Sequence, residues 1–202
     1  MSANNQSPPF LIQAQFQNSN QQYRGRFAPS PSGPLHFGSL YAALGSYLQA
    51  KSQRGLWFVR IEDIDKPREQ PGAVNQIFDG LQTFGMEWDT DENTVSQLKP
   101  DDKNCLVQTN RLERYQQVLD WLIESELVYA CECTRKQIKQ AGTLYQAICR
   151  YKGLDLRAQG LRLKQDAGLT AFTDGLFGHV DIEQAFCRED YIIRRRDGLF
   201  AY

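Results

Sequence analysis

Pro29, Pro31, Gly33 and Pro34 fall within six positions, and such a cluster fits neither a helix interior nor a central strand. What flanks it makes that interruption informative. Tyr23 to Ala28 reads as a short strand. From about Phe37 to Gln53 the pattern turns helical, with Leu40, Ala43, Leu44, Tyr47 and Leu48 expected on one face. Gly55 ends that stretch, and the apolar run Leu56 to Ile61 reads as a buried strand. Val74 to Phe84 reads as a second helix, ending at Gly85. Strand, helix, strand, helix in this order predicts an α/β fold with a parallel sheet. In an open parallel sheet, ligands sit at the carboxyl ends of the strands, which is where the Pro-rich turn lies.

The bulk properties narrow the remainder. A chain of 202 residues with 41% hydrophobic content can bury one sizeable core, with room for a small inserted subdomain. The net charge of −1 points to no nucleic-acid partner by itself, although a local basic patch can act within a neutral protein. No apolar run reaches the roughly 18 residues of a membrane span, and no charged-then-apolar leader opens the chain. Five cysteines do not suggest a secreted disulfide framework, and a reduced cytosol fits better. Residues 1–22 are rich in Gln, Asn, Ser and Pro and read as a disordered tail. Thr90 to Asn110 reads as an irregular polar connection, Leu112 to Ser125 as a helix, and Leu176 to Ile193 as mostly strands.

Three groups of residues carry chemistry. The first is the turn Arg26-Phe-Ala-Pro-Ser-Pro-Ser-Gly-Pro-Leu-His-Phe-Gly-Ser39, which leads into a helix start. Free backbone N–H groups and the helix dipole suit that position to phosphate. Gly33 and Gly38 allow close approach, and His36 could donate to a phosphoryl oxygen as charge develops. Alone, His36 reads as readily as a surface histidine beside a helix cap. The second group, Arg60-Ile-Glu-Asp-Ile-Asp65, closes a buried strand. It reads either as a ligand site or as an ion-pair network between Arg60 and Glu62 or Asp63. The third is Cys131-Glu-Cys133 with Cys149, three thiols within nineteen residues, a spacing that suggests zinc but lacks an evident fourth ligand.

Taken as strings, these blocks resemble the class I glutamyl-tRNA synthetase family. Pro-Ser-Pro-Ser-Gly-x-Leu-His-x-Gly is similar to the family's first ATP signature, with Ser39 in the place of its last His. The RIEDID-x-PRE-x-PGA run is similar to its second block. Leu35 to Ala50, the Cys-x-Cys…Tyr…Cys spacing, and Arg195 to Tyr202 lie closer to the glutamyl-queuosine branch than to ordinary glutamyl enzymes. The resemblance covers Tyr23 to Tyr202.

It implies a Rossmann-like catalytic core with a zinc-binding insertion. Residues 23–98 would form the first half of the core, 99–185 the insertion, and 186–202 a return to the core. His36 would be catalytic. Pro29, Ser32, Gly33, His36, Gly38 and Ser39 would bind ATP with its Mg²⁺. Arg26, Phe27, Ala28, Pro29, Ser30, Glu62 and Tyr202 would bind L-glutamate, with Glu62 accepting hydrogen bonds from the α-ammonium. Cys131, Cys133, Tyr145 and Cys149 would hold structural Zn²⁺, the phenolic oxygen of Tyr145 supplying the fourth ligand; Cys105 and Cys187 are expected to play no part.

The implied function is ATP-dependent activation of glutamate without tRNA, then transfer to queuosine in the anticodon of tRNA(Asp), by a cytoplasmic monomer; the alternatives are a fragment of an ordinary glutamyl-tRNA synthetase and a non-catalytic tRNA- or zinc-binding paralogue. The family's second ATP loop should lie beyond Tyr202. A chain stopping within the apolar Leu-Phe-Ala-Tyr segment is expected to be C-terminally truncated and impaired by itself.

Overall fold

The computed structural model describes residues 22–90, 106–142, 144–157, 159–166 and 168–201. Residues 1–21 of the expected tail 1–22, Cys105 and Tyr202 lie outside these residues. The chain packs as two compact units, one reaching to Gln116 and one running from Gln117 to the end. The sequence expectation put a boundary at 98/99 and returned 186–202 to the first unit; the packing divides at 116/117 and keeps that last segment in the second.

The first unit is built on a parallel sheet. Strand β1 (Arg24–Phe27) leads through the Pro-rich turn into helix α1 (Phe37–Ser52), then strand β2 (Leu56–Ile61). Helix α2 (Ala73–Thr83) follows, and strand β3 (Leu106–Val107) completes the order β1-β2-β3. Both pairings are parallel, with Arg24 opposite Leu56 and Arg60 opposite Leu106. β3 is only two residues long and emerges from a polar region, so periodicity gave no sign of it. Burial on both faces explains the unbroken apolar character of β2, where Trp57, Phe58, Val59 and Ile61 are all buried.

Trp57 organises this core. Its ring stacks with Phe27 at 6.3 Å between centroids and meets Tyr47 edge-on at 5.1 Å. Its indole N–H donates to Ser46 Oγ at 2.9 Å, satisfying the one polar atom of a fully buried side chain. Ala43 and Ala50 of α1 and Ile77, Phe78 and Leu81 of α2 close around it. The sequence expectation for α1 needs correction here. Leu40, Ala43, Tyr47 and Ala50 face the core, whereas Leu44 and Leu48 are 44% and 56% exposed. The true inward stripe drops Leu44 and Leu48 and gains Ala50, which a search for bulky residues passes over and which is fully buried, as is Ala43.

The second unit is mainly antiparallel. Most of helix α3 (Leu112–Glu124) packs over a sheet of order β4-β5-β8, formed by β4 (Val128–Cys131), β5 (Gly160–Leu163) and β8 (Ile192–Arg194). Helix α4 (Arg135–Ala141) follows β4, and a hairpin of β6 (Ala171–Asp174) and β7 (Gly178–Asp181) precedes the short helix α5 (Gln184–Cys187). The segment expected to be mostly strands thus contains the second strand of a hairpin, a helical turn and β8. β4 is buried on both faces and serves two clusters: Val128 and Ala130 join Leu119 and Leu161, while Tyr129 and Cys131 join Tyr145 and Cys149.

Candidate functional site

Two sites emerge, one in each unit. The first forms where β1 and β2 end. Pro29 and Pro31 have no N–H to give, but their carbonyls are held from the second block: Glu62 N donates to Pro29 O at 2.9 Å, and Gln70 N to Pro31 O at 2.9 Å. Both prolines are buried. Ser32 N closes a tight turn on Ser30 O at 2.8 Å. Gly33 has φ of 137°, in the region that favours glycine. The Pro-rich turn is therefore fixed from both sides before α1 begins.

His36 is the N-cap of α1. Its Nδ1 accepts from Ser39 N at 3.3 Å, and its Nε2 lies 3.0 Å from Ser39 Oγ. The ring folds back over Gly38, where an added Cβ would stand 3.2 Å from it. Gly38 thus makes room for the imidazole. His36 is exposed, at the start of a 16-residue helix whose first N–H groups are available to an anion.

At the end of β2, Arg60 Nη2 donates to Glu62 Oε1 at 2.5 Å, with both side chains largely buried. The ion-pair alternative for this block is thus present in the structure. It leaves Glu62 Oε2 without a partner among the described residues, and buried Arg60 Nε without one as well. Arg26 lies near enough to feel Arg60, Glu62 and Tyr115; burial first, then the like charge of Arg60, lowers its pKa from the ordinary guanidinium value.

Asp63 takes a different role. It is buried and accepts from Thr109 N at 3.0 Å, Thr109 Oγ1 at 2.7 Å and Lys66 Nζ at 2.8 Å. Burial alone would raise its carboxyl pKa. The hydrogen bonds from Lys66 and Thr109 outweigh that and leave it lowered. Asp63 ties the end of β2 to the residues after β3, an anchoring role the sequence did not assign.

In the second unit, the Sγ atoms of Cys131, Cys133 and Cys149 lie within 4.8 Å of one another, and those of Cys133 and Cys149 are 3.4 Å apart. Tyr145 Oη is 3.4 Å from Cys131 Sγ and accepts from Cys149 N at 2.9 Å. Three thiols and a phenol thus converge as the sequence expectation required. All three cysteines are free, and Cys187 is bound elsewhere, to Leu169 O at 3.0 Å.

The local fold explains the convergence. Cys131 ends β4. Cys133 precedes a capping box in which Thr134 Oγ1 accepts from Gln137 N and Gln137 Oε1 accepts from Thr134 N. Ala147 takes a left-handed φ of 52°, turning the chain between Tyr145 and Cys149. A tetrahedral zinc with Zn–S bonds of about 2.3 Å sets its sulfurs roughly 3.8 Å apart, so this spacing and an S₃O donor set fit the ion.

Behind the thiols stands a network that sequence reasoning missed. The Arg162 guanidinium lies 3.6 Å from the Tyr145 ring centroid, and its Nη1 donates to Asp190 O at 2.6 Å. The fully buried Asp190 carboxylate accepts from Tyr129 Oη and Gln165 N, each at 2.7 Å, with Arg150 Nη1 at 3.6 Å. Burial works to raise the Cys131 thiol pKa, but hydrogen bonding from Tyr145 and Arg162 leaves it lowered; burial and its Cys149 contact push Cys133 up to about 12. Arg162 sits on the alternation of a short strand, where an inward arginine has no signature without its partner Asp190, 28 residues away.

In the first unit a parallel sheet thus carries a Pro-Ser-Pro-Ser-Gly turn into an N-capped helix. The family model for tRNA synthetases class I (E and Q), catalytic domain, matches residues 22–202, and the chain belongs to that family. Among curated relatives, it is 50% identical over 182 residues to a glutamyl-Q tRNA(Asp) synthetase of Serratia proteamaculans, covering 90% of this chain and 56% of that protein. It is 47% identical over 197 residues to the glutamyl-Q tRNA(Asp) synthetase of Escherichia coli K12, covering 96% of this chain and 58% of the other. The chain therefore spans just over half the length of these relatives. The crystal structure of a glutamate tRNA ligase from Elizabethkingia meningosepticum, in complex with its amino acid, superposes with a TM-score of 0.70 at 24% identity, over 90% of this chain and 40% of that one. That likeness speaks for the fold.

Proposed function

We propose that this chain carries the ATP-phosphate and glutamate sites of a ligase that activates glutamate and transfers it to queuosine in tRNA(Asp). The observation that carries the reading is the clamped Pro29–Ser39 turn, which delivers His36 and the α1 N-terminus to the same strand ends as Arg26, Arg60 and Glu62. The relatives at 47–50% identity are named for this reaction.

In the first step a glutamate carboxylate oxygen bonds to the α-phosphorus of ATP, the bond to the bridging oxygen breaks, and pyrophosphate leaves with its electron pair. In the second, a queuosine hydroxyl attacks the acyl carbon of the adenylate, and AMP departs. No nucleophilic side chain is required, so the protein's task is to position reactants and stabilise charge. Pro29, Ser32, Gly33, Gly38 and Ser39 would line the phosphates, with Mg²⁺ accompanying ATP. His36 would donate to a phosphoryl oxygen as charge builds there. Glu62 Oε2, the oxygen that Arg60 does not engage, would accept from the α-ammonium. Arg26 would grip a carboxylate of glutamate with its planar fork, with Phe27, Ala28 and Ser30 completing that pocket.

Cys131, Cys133, Tyr145 and Cys149 would hold Zn²⁺, which when bound crosslinks β4, the start of α4 and the turn before Arg150. The 99–185 segment would then be the family's insertion and the protein a cytoplasmic monomer. Among the described residues no helix is long and apolar enough to cross a membrane.

The test is glutamate-dependent exchange between pyrophosphate and ATP without tRNA, on this chain and on a reading frame extended to the relatives' length. Exchange in either supports glutamate activation. Charging of tRNA(Asp) only when it contains queuosine then supports the acceptor. Exchange that requires tRNA, or charging at the 3′ end of tRNA(Glu), overturns the reading in favour of an ordinary glutamyl-tRNA synthetase.

A further inference from the structure

Arg162 is a buried cation that the reaction just described does not use. It is only 7% exposed, on β5, and pairing with β4 sets it opposite Tyr129, with Gly160 opposite Cys131. Alternation along the two strands puts these four residues on one face of the sheet. Arg162 shares a cavity wall with Cys131 and Cys133, and its guanidinium lies 3.6 Å from the centroid of the Tyr145 ring. A buried charge is costly unless an opposite charge answers it. Arg162 Nη1 donates only to the main-chain oxygen of Asp190, and its buried Nε has no partner among the described residues. The Asp190 carboxylate is turned to Tyr129, Gln165 and Arg150 instead. Other cations near the cysteines are placed differently: Arg195 pairs with Asp197, Lys152 pairs with Glu132, and Arg135 and Arg196 are exposed.

We infer that Arg162 is the counter-cation of the metal site and the positioning residue for Tyr145, its charge balancing the filled site while its plane holds the phenol toward the three sulfurs. The inference rests on the reading above that Cys131, Cys133, Tyr145 and Cys149 hold Zn²⁺, and it adds a residue outside that ligand set. Cysteines bind zinc as thiolates, so three of them outweigh the ion's two positive charges by one, before any charge on the phenol oxygen is counted. The filled site is thus anionic, in a buried place where water answers little of the charge. A guanidinium over the ring face is drawn to its negative quadrupole, and that flat contact limits the swing of a phenol whose Oη stands 3.4 Å from Cys131 Sγ. Arginine suits both tasks, being planar and always charged. Its charge therefore favours the filled site over the empty one.

The experiment measures zinc affinity of the whole 202-residue chain by competition with a chromogenic chelator at one pH, beside urea melts of the metal-free and zinc-loaded forms. Arg162→Met keeps much of the apolar packing and removes the charge. Arg162→Lys keeps the charge and removes the plane. Arg162→Met should bind zinc about ten- to a hundredfold more weakly, the usual cost of losing a residue that supports metal ligands. Arg162→Lys should recover roughly half of that loss on a logarithmic scale, because the charge remains. In a Tyr145→Phe background the Met substitution should cost distinctly less than in the parent, because part of its effect runs through the phenol. In urea, Arg162→Met should lower the midpoint of the zinc-loaded chain more than that of the metal-free chain.

Unchanged zinc affinity in Arg162→Met overturns the proposal. So does a Lys variant as weak as the Met variant, or full additivity with Tyr145→Phe. Equal falls in the two urea midpoints mark an arginine that serves the fold alone, and also overturn it. Should Arg162→Met not fold, Arg162→Lys carries the test: in it Tyr145→Phe should cost less zinc affinity than in the parent, because the ring is no longer held, and an equal cost overturns the proposal. A parent chain that takes up no zinc sinks the zinc reading itself. A parent that binds zinc tightly, beside an Arg162→Met variant that binds as tightly, leaves that reading standing and sinks only this one.

Discussion

His36, Glu62 and Asp63 show three uses of a polar side chain near one strand end, and each predicts a different defect. His36 is exposed, and in the proposed reaction it would act only once charge develops on phosphate. Changing it to Ala should lower the exchange rate about a hundredfold while the glutamate KM moves little; equal loss in both would remove it from transition-state stabilisation. Gly38→Ala should reproduce part of that defect without loss of stability, because the new methyl would displace the imidazole from its place 3.2 Å away.

Glu62→Gln keeps the shape and removes the charge, so the glutamate KM should rise while the ATP KM holds; an unchanged glutamate KM would exclude it from the pocket. Asp63 should instead act on stability. Its pKa is lowered in the folded chain, so its contribution is complete above the unfolded carboxyl value of about 3.9 and fades as pH falls through the lower folded value. Asp63→Asn should cost about 1–3 kcal/mol in urea melts at neutral pH, by leaving Lys66 and Thr109 poorly matched, and should flatten the acid limb of the stability profile. A parallel acid limb in parent and variant would refute that assignment.

At the scale of elements, the two helices and two strands of the first unit were legible because each has a strong local signal. β2 is a continuous apolar run, and α1 is bracketed by the Pro-rich turn and Gly55. What could not be read was set by contacts distant in sequence. β3 exists because Leu106 and Val107 find the edge of β2, and nothing within two residues announces that. The exposed Leu44 and Leu48 have the same origin: Ala43 and Ala50, not the largest side chains, decide which side of α1 meets Trp57.

The site followed a similar rule. Ligand candidates lying within short strings were found, whereas Asp190, Arg162 and Thr109 act through partners 25 to 61 residues away. Gly55 offers an element-level test. A Cβ there would lie 2.4 Å from Tyr23 O, against the start of β1, so Gly55→Ala should destabilise the first unit by about 1–3 kcal/mol, measurable as a lowered urea midpoint.

For the whole molecule, the division at Gln116 predicts that damage can be confined. Zinc is expected to stabilise the unit that contains Cys131 to Cys149. Chelation should therefore expose the amides of β4 and β5 to hydrogen exchange while those of β1 and β2 keep their protection. Cys149→Ser should give the same pattern together with loss of bound zinc. Uniform loss of protection across both units would show that they fold as one. Tyr145→Phe should retain the metal more weakly, since three thiolates remain.

The staples that fix the Pro-rich turn run from main chain to main chain, Glu62 N to Pro29 O and Gln70 N to Pro31 O. Such bonds do not depend on which side chain position 62 carries. If Glu62 lines the amino-acid pocket as proposed, natural selection could rewrite that pocket at position 62 without loosening the Pro-rich turn beside it. Heritable change in what is activated and constancy in how it is activated would then be, in this architecture, mechanically separable traits.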